Sequence, residues 1–97
     1  MEQDKLTFFK NFRYTDIEIQ SIINTCNDIE HTPTTQMADN CRILVENGYP
    51  RTELDFLILT NPRFLTYAPE YLKNILAEHK KAGLSLEELI NENPFVL

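Results

Sequence analysis

The feature that most limits what this chain can fold into is a frame that occurs twice. It runs from Gly48 to Leu65, GYPRTELDFLILTNPRFL, and returns from Gly83 to Leu97, GLSLEELINENPFVL. Each copy opens on Gly and an apolar residue, carries an amphipathic helical stretch, and closes on Asn-Pro, a variable residue or two and a final Leu. Around Tyr14 a degenerate copy precedes them: Ile19, Ile22 and Ile23 have the spacing of Leu54, Leu57 and Ile58 thirty-five positions later, as Tyr14 has that of Tyr49. Such recurrence predicts an all-α fold, a short solenoid-like array of helical repeats stacked on their neighbours.

The helix signals are local. Thr15-Asp16-Ile17-Glu18 and Ser85-Leu86-Glu87-Glu88 are predicted capping boxes, in which a hydroxyl accepts an orphan backbone N–H and the Glu reaches back. Thr32-Pro33 reads as an N-cap followed by Pro at the first helical position, and predicts a helix from Pro33 to Asn47 with Met37, Cys41, Leu44 and Val45 buried. Gly48 and Gly83 are expected just past helix ends, where left-handed φ is needed. Because Pro disfavours helical geometry in the residue before it, Asn61 should end its helix and send Phe64 and Leu65 into the core through a tight or 3₁₀ turn. Leu72, Ile75, Leu76 and His79 form the next stripe, and Leu86, Leu89 and Ile90 the last. The expected organisation is one domain over residues 1–97, with a capping helix at 1–13, a degenerate repeat at 14–47, the best repeat at 48–82 and a shortened one at 83–97.

Alternating helices, the hinge Gly, a capped helix and Asn-Pro-x-x-Leu together resemble the mitochondrial transcription termination factor (mTERF) family and its bacterial relatives, from Tyr14 onward. The resemblance implies repeats of two α-helices plus a short 3₁₀ helix in a superhelical solenoid. It also implies DNA or RNA binding through a basic face, in organellar gene expression. The Pro of Asn61-Pro62 and Asn93-Pro94 matches the family's structural Pro. The chain departs from that pattern in its net charge of −6, in its small number of repeats and in an acidic Met1-Glu2-Gln3-Asp4 start unlike a transit peptide.

Fifteen acidic against nine basic side chains repel polyanions at long range, so a nucleic acid would need a local basic face. Arg42, Arg51, Arg63, Lys73, Lys80 and Lys81 are the candidates for one, with Tyr67 or Tyr71 as a stacking surface. The alternative is a protein-interaction module, an acidic regulator of a basic partner or a self-associating chain, using exposed apolar ends at Phe8, Phe12, Phe95 and Leu97. The resemblance favours the nucleic-acid reading.

An enzyme is not expected. No Gly-flanked Ser, Cys–His pairing or phosphate loop occurs, and Glu87-Glu88 suits the first turn of a helix. Cys26, His31, Cys41 and His79 lack the close paired spacing of a metal site. Cys26 and Cys41 read as buried reduced thiols. No cofactor, small-molecule substrate or membrane span is expected, and the predicted location is cytoplasmic.

Overall fold

Side-chain hydroxyls cap two helix starts in this chain, at Thr15 and Ser85, and left-handed φ turns the chain after three helices, at Arg13, Gly48 and Gly83. A computed structural model describes residues 3–97, so Met1 and Glu2 of the expected capping segment lie outside it. Six α-helices follow one another, α1 (Gln3–Lys10), α2 (Asp16–Thr25), α3 (Thr34–Glu46), α4 (Leu54–Thr60), α5 (Pro69–Lys80) and α6 (Leu86–Glu92). Four 3₁₀ turns separate or extend them, η1 (Asn27–His31), η2 (Arg51–Glu53), η3 (Pro62–Thr66) and η4 (Pro94–Val96). No strand occurs among the described residues, and the fold is all-α. Helices α1, α3 and α5 neighbour one another in turn, α2 packs beside α4, and η1 lies against η3. The body measures 39 × 23 × 19 Å.

Backbone geometry repeats more closely than the residues do. The residue ending α2, Cys26 (φ −141°, ψ 89°), matches the one ending α4, Asn61 (φ −146°, ψ 83°), and the one ending α6, Asn93 (φ −152°, ψ 97°). A 3₁₀ turn follows each, although Asn27 stands where the other two carry Pro. Left-handed φ occurs at Gly48 (96°) and Gly83 (81°), as expected, and also at Arg13 (67°). Arg13 precedes Gly48 by the same thirty-five positions that separate Gly48 from Gly83. A turn that favours Gly is therefore imposed on an arginine, at a cost of about 1 kcal/mol.

The starts of the helices differ from the expected pattern at three points, each for a local reason. The Thr15 box is complete, with the Thr15 hydroxyl accepting from the Glu18 amide and the Glu18 carboxylate accepting from the Thr15 amide. At Ser85 only the hydroxyl half forms, accepting from the Glu88 amide. Pro50 occupies the corresponding place in the middle copy. With no hydroxyl to cap, the chain enters α4 through η2 and makes no side-chain cap. Helix α3 starts at Thr34, with Pro33 in extended geometry as its cap residue, because the Thr32 hydroxyl donates to the Asp28 carbonyl and is spent closing η1.

The core runs the length of the molecule through Phe9, Ile22, Ile29, Met37, Leu44, Leu57, Ile58, Phe64, Leu65 and Leu72. Phe64 and Leu65 are fully buried from η3, as the Asn61-Pro62 stop requires. Val45 is only half-buried and Ile43 takes its place inside. Four polar side chains are buried with this core, Lys5, Thr32, Asn40 and Asn61, and two of them hold a 3₁₀ turn from a helix. Asn40 of α3 donates from Nδ2 to the carbonyls of Phe64, Leu65 and Tyr67, at 2.9, 3.2 and 2.8 Å. Lys5 of α1 donates to the Glu30 carbonyl at 2.7 Å. Lys5 and Glu30 each precede Asn40 and Leu65 by thirty-five positions. In both places a helix thus ties down the carbonyl end of the next 3₁₀ turn, satisfying groups that burial would otherwise leave unpaired.

Candidate functional site

Charge is distributed unevenly between the helices. The segments Asp16–Thr25, Arg51–Thr60 and Leu86–Glu92 carry seven acidic side chains, Asp16, Glu18, Glu53, Asp55, Glu87, Glu88 and Glu92, and one basic side chain, Arg51. The rest of the chain holds eight of each sign. The whole net charge of −6 therefore sits on α2, η2–α4 and α6.

Four of these carboxylates act on two buried tyrosines. Burial first, then Asp55 together with Cys41 and Glu18, pushes the Tyr14 phenol far above its ordinary value. The Tyr49 phenol is raised by burial and then by Glu53, Glu87 and Asp55. Asp55 contributes to both shifts, so an acid of α4 lies near the tyrosines that precede α2 and α4. Neither tyrosine ionises at neutral pH, and the Tyr14 hydroxyl donates to the Asp55 carbonyl. One carboxylate oxygen of Glu53, Oε2, is shielded from solvent and meets no protein donor.

The six candidate cations are placed differently. Arg42 is exposed and pairs along its own helix with Asp39 at 2.8 Å and Glu46 at 3.3 Å. Lys73 pairs with Glu70 at 3.4 Å and Lys81 with Glu78 at 3.1 Å. Such solvated pairs one turn apart contribute only about 0.3–0.5 kcal/mol each, but they neutralise the face that carries them. Arg42 and Lys73 do come together, across an open groove of about 510 Å³ between α3 and α5 that also holds Asp39 and Glu46. Lys80 lines a neighbouring groove of about 400 Å³ with His79, Leu76, Leu84 and Leu86. Arg63 acts on Cys26 and Tyr67, whereas Arg51 acts on Cys41. Arg51, Arg63 and Lys80 make no ion pair among the described residues.

Of the two stacking candidates, Tyr67 is half-buried and donates from its hydroxyl to the Leu97 carbonyl at 2.6 Å, which commits it to the fold. Tyr71 meets it edge-on at 5.2 Å and is 56% exposed.

The apolar candidates need correction. Leu97 is buried, because η4 turns it back onto the core and Tyr67 holds its carbonyl. Phe8 and Phe12 are half-buried and spend their ring surface on an internal cluster, Phe8 edge-on to Phe9 and Phe12, and Phe12 stacked on Tyr14 at 5.8 Å. Phe95 alone of the four is open, at 65%. The sequence reading missed Leu84, at 44% exposed, and two apolar side chains more open still, Ile17 at 83% and Phe56 at 67%. Both stand off the buried stripes of their helices and between or beside acids, which is the signal that marks them.

Phe56 borders a cleft of about 80 Å³ between α4 and α6, with Tyr49, Leu57, Thr60, Ile90, Asn91 and Pro94 as the other walls. It has room for a side chain and is well below the size of an ordinary small-molecule site. Cys26 and Cys41 are free and buried, and burial raises both thiols, Cys41 to about 12. Among the described residues no three His, Cys, Asp or Glu side chains converge, and no helix is long and apolar enough to cross a membrane. Comparisons with protein-family models, curated proteins and solved structures returned no match.

Proposed function

We propose that the chain is a short helical-repeat array resembling the mTERF family in its units, and that it works as a non-enzymatic protein-interaction module for a basic partner protein. The recurring helix-end geometry at Cys26, Asn61 and Asn93, and the left-handed turns at Arg13, Gly48 and Gly83, support the repeat reading. The observation that carries the functional reading is the placement of the entire net charge on α2, η2–α4 and α6, beside exposed Ile17 and Phe56. An acidic flank with apolar side chains standing in it attracts a cationic partner at long range and gives it apolar contacts at short range. Two free buried thiols suit a reducing compartment such as the cytoplasm.

A second reading, nucleic-acid binding as the family resemblance implies, draws on Arg51, Arg63 and Lys80, which have no acidic partner among the described residues. It is the weaker of the two, because Arg42, Lys73 and Lys81 are already neutralised by Asp39, Glu46, Glu70 and Glu78. Fluorescence anisotropy separates them. The whole protein is titrated against a labelled Leu/Lys amphipathic peptide and against mixed-sequence single-stranded and duplex oligonucleotides, between about 50 and about 200 mM salt. Peptide binding that weakens with salt, without oligonucleotide binding, is the expected result. Salt-sensitive oligonucleotide binding without peptide binding would overturn it in favour of the second reading.

A further inference from the structure

We propose that the cleft between α4 and α6 is the docking site for a basic amphipathic helix of a partner protein, which inserts one apolar side chain beside Phe56 and sets its Lys or Arg residues against Glu53, Asp55 and Glu87. The inference rests on the basic-partner reading and gives it a place. Three observations meet there. The cleft is apolar at its walls, through Tyr49, Phe56, Ile90 and Pro94, and admits one side chain. Phe56 stands 67% exposed on its edge although it is a large aromatic, so covering it removes apolar surface from water. Acids flank the walls in the chain, since Glu53 and Asp55 stand at the start of α4, with Asp55 next to Phe56, and Glu87 lies in the first turn of α6, one turn before Ile90.

The occupant follows from charge complementarity. A second copy of this chain would bring the same acidic flank against itself, and an acidic helix would be repelled. A polyanion is repelled for the same reason. A helix with one apolar face and flanking cations fits both the cleft and its rim.

The test uses the isotope-labelled whole protein and a Leu/Lys amphipathic peptide of about five helical turns, with a Leu/Glu peptide and a Leu/Lys peptide of scrambled pattern as controls. Amide shifts on adding the Leu/Lys peptide should concentrate at Tyr49, Phe56 and Ile90. Phe56→Ala should weaken binding about tenfold or more with an unchanged Tm, since the ring is exposed. The pair Asp55→Asn and Glu87→Gln should weaken it to a similar degree and flatten its salt dependence. If the peptide binds but shifts map elsewhere and these variants bind as wild type does, the docking site is wrong and the basic-partner reading stands. If no Leu/Lys peptide binds, both fall. If sedimentation shows a dimer that Phe56→Ala converts to a monomer, the occupant is a second copy and the proposal is overturned.

Discussion

Residues 13–47 and 48–82 share an order of elements, a left-handed turn, a helix, a 3₁₀ turn and a second helix, and use different chemistry at almost every junction. The left-handed turn is Arg13 in one and Gly48 in the other. The start of the first helix is a complete capping box at Thr15 in one and an uncapped Pro50 in the other. Its end is Cys26-Asn27 in one and Asn61-Pro62 in the other, with closely matching dihedral angles. The polar side chain that ties down the 3₁₀ turn is Lys5 with one hydrogen bond in the first, and Asn40 with three in the second. Packing of the helix pair around a buried 3₁₀ turn therefore sets the path, and local signals adjust how firmly each junction is held.

The comparison can be broken most directly at the two buried polar residues. Asn40→Leu removes three hydrogen bonds to the η3 end, leaving the Phe64 carbonyl to the Tyr67 amide and the Tyr67 carbonyl to Gln36, and should destabilise the protein by about 2–3 kcal/mol. Lys5→Leu removes one hydrogen bond and a buried charge together, and should cost about 1 kcal/mol or less. Urea unfolding of both variants checks the ratio, and equal losses would show that the three Asn40 bonds do not act together.

Position 41 sharpens it by pH. Cys41 occupies the place held by Leu76 in the second unit. Its thiol is raised by burial from 9.0 to about 12, so the unfolded chain ionises first. The stability this thiol contributes is complete below pH 9.0 and is lost as pH rises from 9.0 toward about 12, on the order of 1–2 kcal/mol by about pH 11. Cys41→Leu should remove that part of the alkaline slope in pH-dependent unfolding, while the tyrosines keep theirs.

Smaller effects come from exchanging junction residues. Gly48→Ala should cost about 1 kcal/mol from backbone strain alone, because an added Cβ there meets no atom within 4 Å. Arg13→Gly should gain about 0.5–1 kcal/mol by relieving the same strain, less the extra entropy of an unfolded Gly. Pro50→Ser restores the hydroxyl found at Thr15 and Ser85 and should gain about 0.5 kcal/mol if the serine caps α4. Differential scanning calorimetry ranks the three, and a destabilising Arg13→Gly would show that the arginine side chain contributes more than its backbone costs.

Much of this was legible because it is local. The Thr15 box, the apolar stripes, the turns at Gly48 and Gly83, and the stop at Asn61-Pro62 each depend on residues within one or two turns of chain. The apolar candidates were less legible. Whether Phe8, Phe12 or Leu97 faces solvent depends on what packs against it, and Tyr67, which holds the Leu97 carbonyl, lies thirty positions away. The charged candidates were visible as residues, but their ion pairs and the acidic flank depend on which helices lie side by side.

By itself the sequence determined the helices, their punctuation and the turn that sends Phe64 and Leu65 inward, since these follow from hydrogen-bonding capacity, φ preference and periodicity along the chain. Tertiary structure decided that a lysine is buried at position 5, that an arginine adopts a glycine's conformation at position 13, and that an acid of α4 lies near Tyr14 and Tyr49. Those outcomes are set by contacts between residues distant in sequence, where packing energy exceeds the local preference of any one residue.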